Sequence, residues 1–217
     1  MKRFLSFLTA LALLLCFAAS LAETAFRDTL GAVDGGTYIN PFLGLGCDLP
    51  SWYFFSRDEI LKENQFPESS LDDSLKTIMK STSQVLVMEA VPDLSGTRNV
   101  RVCIARITWK FRETIKQTGF TALLPALMAD MKRSYQSAGM EDIEMRQDTV
   151  LIDGKEIAAI DVRFSQAGAA YRNVYALFPF GDYMITIQSF VHTSFTDDAA
   201  EVFSHFFWLN KSEDNLI

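Results

Sequence analysis

Side chains that most often carry acid–base or nucleophilic chemistry are scarce in this chain. It has two histidines, His192 and His205, and three cysteines. A Ser-His-acid site would have to use one of these histidines, but His192 ends a predicted strand and His205 lies in an aromatic stretch of the last predicted helix. The sequence contains no Gly-x-Ser-x-Gly motif and no glycine-rich phosphate loop. We therefore predict no catalytic residue and no cofactor.

Clustered carboxylates offer a second kind of chemistry, metal binding or general acid–base catalysis. The pairs Asp72-Asp73 and Asp197-Asp198 each lie in the first turn of a predicted helix, where the helix dipole favours negative charge. Helix stabilisation therefore explains both pairs. A third cluster, at 141 to 144, could bind calcium weakly, although hard cations usually gather several oxygen ligands. A solvated turn explains this cluster better, and we predict no metal site.

Binding chemistry is indicated at one place. In the connection from Trp109 to Phe120, two aromatic residues alternate with bases in an otherwise acidic chain, and aromatic and guanidinium groups are typical of interfaces. Alternatively, the aromatic residues continue the preceding strand and cover the core while the bases stay in water. If one segment contacts a partner, the sequence favours this one: Trp109, Lys110, Phe111 and Arg112.

Composition limits the partners. The chain has 217 residues, of which 49% are hydrophobic and 22% charged, a balance typical of globular proteins. Its 20 Lys plus Arg against 27 Asp plus Glu give a net charge of -7 and a pI near 4.9. Such a charge repels nucleic-acid phosphate and anionic lipid headgroups. We therefore predict no nucleic-acid partner.

The N-terminus has the pattern of a secretory signal peptide. Lys2 and Arg3 precede an uncharged run from Phe4 to Ala22, and Ser20 and Ala22 are small residues at the positions that signal peptidase reads. Cleavage would follow Ala22. The alternative is an uncleaved anchor, since a run of this length can just span a bilayer core. We predict a secreted or extracytoplasmic protein of the cell envelope, with no membrane span after cleavage.

Domain organisation follows from this leader. We predict a signal peptide at 1–22, a short glycine-containing linker at 23–36, one domain at 37–210 and a C-terminal tail at 211–217.

Two cysteines, Cys47 and Cys103, remain in a compartment that permits disulfides. Alternating apolar residues place Cys47 on the core face of its strand. Cys103 lies on the other face of its strand, away from the apolar residues. This pattern favours two buried free thiols over a single bridge.

Hydrophobic periodicity and turn chemistry place the secondary structure. Ser56 and Glu59 form a capping box, Ser70 and Asp73 open a second helix, and Pro125 belongs in or before the first turn of the longest helix. The predicted strands are 38–49, 52–55, 84–91, 98–107, 142–151, 156–165, 170–180 and 183–192, and the longer predicted helices are 122–137 and one beginning at Thr196.

The last four strands form an antiparallel meander with short turns at Asp153-Gly154, 167–169 and Gly181-Asp182. Apolar residues occur on both faces of these strands, and a sheet of this kind needs cover on both sides. We therefore predict an α+β fold in a single domain, with an antiparallel meander flanked by helices on both faces as an α/β/α sandwich.

The stretch from Tyr38 to Trp52, in which an extended segment ends in Pro50 followed closely by a tryptophan, resembles the opening of the PsbP-like family. The later order of long helix, Asp153-Gly154 turn, Gly181-Asp182 turn and terminal helix is similar too. That family is named for an extrinsic subunit of the oxygen-evolving complex and includes uncharacterised secreted or lipid-anchored bacterial proteins. Cys47 and the lack of a lipobox depart from its pattern.

The resemblance implies an antiparallel sheet between helical layers and a binding or assembly role, with no catalytic residues to carry over. The favoured function is a secreted non-catalytic binding or assembly module for a protein or cell-envelope component. The alternative is a small extracytoplasmic hydrolase-like enzyme with a carboxylate-based site.

Overall fold

The computed structural model describes residues 30–65, 84–93, 95–193 and 199–209. Within these ranges three α-helices are present: α1 (Arg57–Glu63), α2 (Trp109–Thr118) and α3 (Leu124–Ser137). The strands are β1 (Ala32–Asp34), β2 (Thr37–Asn40), β3 (Leu45–Asp48), β4 (Tyr53–Phe54), β5 (Gln84–Val91), β6 (Arg98–Arg106), β7 (Glu141–Ile152), β8 (Lys155–Gln166), β9 (Ala169–Phe180), β10 (Tyr183–His192) and β11 (Phe206–Trp208).

These strands form two sheets, and the pairings within each are antiparallel. The large sheet has the order β4-β5-β6-β10-β9-β8-β7, and the small sheet has the order β1-β2-β3-β11. The predicted β5–β6 hairpin and the four-strand meander β7 to β10 are confirmed. Asp153 and Gly154 turn between β7 and β8 with positive φ angles of 49° and 77°, as a two-residue hairpin requires.

The small sheet covers one face of the large sheet. Buried side chains from β6 and β10, such as Val102 and Ile187, meet Leu45 of β3 and Phe206 of β11 in one apolar cluster. A 3₁₀ turn, Glu201–His205, adds the fully buried Phe203. Burial of each large apolar side chain contributes roughly 1.5–3 kcal/mol, so this two-sheet core is the main source of stability.

Helix α3 covers the other face. Its Leu124 is buried against Ile160, Val162 and Phe164 of β8, and half-buried leucine and methionine side chains of the helix complete the contact. A hydrogen bond between the Tyr135 and Tyr175 hydroxyl groups (2.6 Å) and one from Asn173 Nδ2 to the Tyr135 hydroxyl (2.6 Å) fix the helix on the sheet. Burial raises the pKa of Tyr175 well above its usual value.

The predicted α/β/α sandwich is therefore wrong. The fold is mostly antiparallel β-structure, and a second sheet takes the place predicted for one of the helical layers. Residues 201 to 208, which fall within the predicted last helix, instead make a 3₁₀ turn and then β11, which pairs with β3. The pairing fits because Gly46 has no side chain: a Cβ atom there would lie 2.4 Å from the Phe207 ring.

The predicted strand 38–49 is two strands rather than one. Asn40 ends β2, and its Oδ1 accepts a hydrogen bond from the Leu43 backbone N–H (3.0 Å). Gly44, at φ 62°, then reverses the chain into β3. The Asn-Pro dipeptide and the glycine are turn signals that the regular apolar alternation of this segment obscured.

Both predicted helix starts that fall within the described residues are confirmed. Ser56 and Glu59 form a reciprocal capping box at α1, and Pro125 lies in the first turn of α3. Strand β1 lies within the predicted linker 23–36. The predicted signal peptide, the helix opened by Ser70 and the tail 211–217 lie outside the described residues, as does the predicted start at Thr196.

Cys47 and Cys103 are free thiols. Cys47 is buried between the two sheets, and Cys103 is half-buried on β6. Burial is the largest cause of the raised pKa of both: it raises the pKa of Cys103 to about 12 and holds that of Cys47 well above its usual range. Since the thiolate is the reactive form, neither sulfur is a nucleophile at neutral pH.

We expect both thiols to be unreactive towards alkylating agents in the folded protein and reactive after unfolding. At pH 8, alkylation of Cys47 and Cys103 should be at least about 100-fold slower in the native protein than in denaturant without reductant. Mass spectrometry of the two cysteine peptides measures both rates. Denatured, unreduced protein in which neither cysteine reacts would require a disulfide and contradict this arrangement.

Candidate functional site

The segment singled out by sequence is the start of a helix. Strand β6 ends at Arg106, and Thr108 is the N-cap of α2, with its Oγ1 accepting a hydrogen bond from the Phe111 backbone N–H (3.2 Å). Trp109 is the first residue of α2. The predicted connection is therefore a capped helical turn, which presents its side chains in a fixed geometry.

Exposure distinguishes the four predicted binding residues. Trp109 is 70% exposed, and Lys110 is exposed, whereas Phe111 and Arg112 are half-buried. The alternative in which Trp109 covers the core is therefore not what the structure shows. Ile115, one turn further along α2, is buried at 5% exposure and anchors the helix. We call the four residues Trp109, Lys110, Phe111 and Arg112 the Trp109 surface.

An ion pair positions this surface on the sheet. Arg112 binds the Asp182 carboxylate in the turn between β9 and β10, and the Asp182 carbonyl oxygen accepts a hydrogen bond from the Ile107 backbone N–H (2.9 Å). Sequence reasoning missed this role of Asp182 because the two partners are far apart along the chain. It also missed Arg106, an exposed base at the end of β6.

The charges at the start of α2 run against helix stability. The positive end of the helix dipole lies at the N-terminus, where acidic residues stabilise and basic residues destabilise by about 0.3–1 kcal/mol each. The first turn of α2 has no acidic residue and contains Lys110 and Arg112. Arg112 is compensated by Asp182, and Lys116 pairs with Glu113 (3.3 Å). Helix stability therefore does not explain the presence of a lysine at position 110.

A buried carboxylate forms a second polar site that the sequence did not predict. Asp161 of β8 is 2% exposed, and its Oδ2 accepts hydrogen bonds from Arg146 Nε (2.9 Å) and Arg172 Nη2 (3.2 Å). Arg172 Nε donates to the other oxygen, Oδ1 (3.0 Å). Glu144, Arg146, Asp161 and Arg163 line a cavity of about 300 Å³.

This site is an ion-pair network rather than an acid–base pair. Both oxygens of Asp161 accept hydrogen bonds from guanidinium groups on neighbouring strands. Glu89, at 3% exposure, is paired with Arg101 through Oε1 (2.9 Å), whereas its Oε2 is buried with no hydrogen-bond partner among the described residues. The available sequence signal was an aspartate flanked by Ile160 and Val162 inside an apolar strand, since a buried charge needs an opposite charge.

The other candidates from sequence are not brought together. His192 meets the Tyr171 ring edge-on, with 5.4 Å between ring centroids, and His205 is exposed in the 3₁₀ turn. Asp142 accepts a hydrogen bond from Ser165 Oγ (2.6 Å). Among the described residues, no three His, Cys, Asp or Glu side chains are grouped to hold a metal. The pairs Asp72-Asp73 and Asp197-Asp198 lie outside those residues.

No protein-family model matches this chain, and no curated protein matches it. Solved structures do match it, among them two of low sequence identity. One, from Bacteroides thetaiotaomicron, is 12% identical with a TM-score of 0.42; the match covers 83% of this chain and 51% of that one, so this chain spans about half of its length.

The other is the solution structure of cyanobacterial PsbP (CyanoP) from Synechocystis, 13% identical with a TM-score of 0.49, and the match covers 82% of this chain and 95% of that one. Identities of 12–13% and TM-scores below 0.5 are too low to assign a family, an activity or a partner. Membership of the PsbP-like family therefore stays a prediction.

In the part of the chain that the structure describes, no helix has the length and apolar character needed to cross a bilayer.

Two substitutions within α2 separate a surface residue from an anchoring one. We expect Trp109→Ala to change the free energy of unfolding by less than about 0.5 kcal/mol, because the side chain is mostly in water. Ile115→Ala should cost about 2–4 kcal/mol through lost burial and the cavity left behind. Urea unfolding of both variants measures the difference. A Trp109→Ala cost equal to that of Ile115→Ala would show that Trp109 belongs to the core.

Proposed function

We propose that this chain is an exported, non-catalytic binding module that contacts a protein or cell-envelope component through the Trp109 surface. The observation that carries the proposal is the 70% exposure of Trp109 on a capped helical turn beside Lys110, a base that destabilises the helix it begins. Neither the exposed indole nor the base contributes to folding, so their placement is better explained by what they contact outside the chain.

The chemistry of the Trp109 surface favours an acidic partner. Trp109 offers an amphipathic ring that can bury 150–250 Å² or so, and removal of such an anchor from an interface often costs about 2 kcal/mol or more. Four bases lie in or next to α2, namely Arg106, Lys110, Arg112 and Lys116, and two of them are paired with a carboxylate, Arg112 with Asp182 and Lys116 with Glu113. This local excess of positive charge lies on a chain of net charge -7, so it can orient an acidic partner that the rest of the protein repels.

Export is supported by the sequence pattern of Lys2, Arg3 and the uncharged run that follows. The similarity of the Tyr38 to Trp52 stretch to the PsbP-like opening agrees with a binding or assembly role. The hydrolase alternative receives no comparable support: Asp161 and Glu89, the buried carboxylates of the described residues, are both held by arginines.

A paired-variant binding experiment tests the proposal. The protein carrying Trp109→Ala and Lys110→Glu should lose at least about 30-fold in affinity for the envelope or secreted component that the native protein retains. The matched control carries Val33→Ala and Lys132→Glu, which change an exposed apolar residue and an exposed lysine elsewhere by the same net charge. The control should bind as the native protein does.

Equal binding by the Trp109→Ala and Lys110→Glu protein would overturn the assignment of the Trp109 surface. Equal loss in the control would show that only bulk charge matters. Steady hydrolysis of a substrate by the purified protein, abolished by replacing a carboxylate, would contradict the non-catalytic function itself.

A further inference from the structure

In the part of the chain that the structure describes, strand β7 is the outermost strand of the large sheet and pairs with β8 alone. The two-residue turn makes Ile152 and Lys155 a hydrogen-bonded pair. In an antiparallel ladder such pairs recur at every second residue, so the backbone groups of Arg146 and Asp148 bond to β8. Those of Met145, Gln147, Thr149 and Leu151 therefore point away from the sheet.

This free edge has defined limits. The Thr149 backbone N–H bonds the Asp148 side chain (Oδ1, 2.9 Å) rather than another strand. At one end the positive φ of Asp142 (50°) and a register shift bend the strand away, and at the other the Trp208 indole donates to the Ile152 carbonyl (3.3 Å). Within the described residues, the backbone between these limits has no partner strand on its outer side.

The edge also exposes an apolar side chain. Leu151 is 58% exposed, on the same face of β7 as Ile143 and Met145, which pack towards α3. A long unpaired edge with apolar residues is a template for pairing with another strand. The outward-bonding positions 145, 147, 149 and 151 carry no charge and no proline, and the charges of β7, at Glu144, Arg146 and Asp148, alternate with them.

We propose that this edge binds β7 of a second copy of the chain, antiparallel, about a two-fold axis at Gln147. Arg146 and Asp148 form an ion pair within one chain (3.0 Å), and in this register Arg146 of each copy also lies opposite Asp148 of the other, so unlike charges meet across the axis. On the opposite face, Ile143 lies beside Leu151 and Met145 beside Thr149. Paired residues of an antiparallel ladder share a face, and each of these pairs satisfies that condition.

Each neighbouring register either opposes two like charges or leaves Arg146 and Asp148 unpaired across the axis. An axis at Arg146 would place two arginines directly opposite each other, and one at Asp148 would do the same with two carboxylates. An axis at Met145 would pair Glu144 with Arg146, but it would also oppose Asp142 to Asp148 and leave Leu151 uncovered. An axis at Thr149 would leave Asp148 opposite Val150. The Gln147 register therefore pairs unlike charges and covers Leu151, and it adds about six backbone hydrogen bonds between the copies.

Sedimentation equilibrium of the purified full-length exported protein tests the assembly. The native protein should show a mass that falls from two chains to one on dilution. Leu151→Asp should raise the dissociation constant at least about tenfold, because both Ile143–Leu151 contacts are lost and a charge is buried. Its thermal midpoint, measured at a concentration where both proteins are single chains, should stay unchanged, since Leu151 is exposed there.

Cysteine cross-linking tests the register. Two copies of Gln147→Cys would have Cα atoms about 5.5 Å apart across the axis, within reach of a disulfide. Thr149→Cys is the matched control: its two sulfurs would be offset by four residues, about 13 Å along the strands. Mild oxidation should link Gln147→Cys into a covalent dimer and leave Thr149→Cys largely single.

A single-chain mass at the highest soluble concentration would overturn the proposal. A dimer insensitive to Leu151→Asp would place the interface elsewhere and overturn it as well. Equal cross-linking of Gln147→Cys and Thr149→Cys would overturn the register. None of these outcomes depends on the Trp109 surface, so they leave the proposed function to its own test.

Discussion

The large sheet carries apolar side chains on both faces, and neither face can be left in water. This constraint accounts for the other layers of the molecule. On one face, Val102 and Ile187 are covered by the small sheet and the turn that contains Phe203; on the other, Ile160 and Val162 are covered by α3. Because β11 completes the small sheet, the segments before and after the large sheet must come together to cover the core between the two sheets.

The helices α2 and α3 pack differently on the large sheet, and this difference has a functional consequence. Helix α3 covers a face of the sheet, whereas α2 contributes one buried residue, Ile115, and is otherwise on the surface. The sequence of α2 is therefore little constrained by the core. A rigid, capped turn held to the β9–β10 turn by Arg112 and Asp182 can present Trp109 without any cost in core packing.

Features encoded by neighbouring residues were predictable. The Ser56 capping box, Pro125 in the first turn of α3 and the Asp153-Gly154 hairpin each depend on residues a few positions apart. The small sheet was not predictable in this way, because β3 and β11 are brought together from opposite ends of the domain. The aromatic run through Phe206 and Phe207 has a periodicity that suits a helix as well as a strand.

The same distinction between local and long-range features applies to the candidate site. The unusual composition of the Trp109 surface was visible in the sequence, but its helical geometry was not, although Thr108 and Gly119 are suitable cap residues. Asp161 was missed because its partners, Arg146 and Arg172, come from two other strands and depend on the sheet register. Local patterns thus indicated which residues were unusual, and only the strand pairing showed what they contact.

The pairing of β11 with β3 is the central structural claim, and a nuclear Overhauser experiment on the labelled protein tests it most directly. We expect strong cross-peaks between the Phe207 ring protons and the Gly46 α-protons, since the ring occupies the space that a side chain at Gly46 would fill. Cross-peaks between residues three and four apart through 201 to 208, with none to Gly46, would instead show the helix that the sequence suggested and contradict the two-sheet fold.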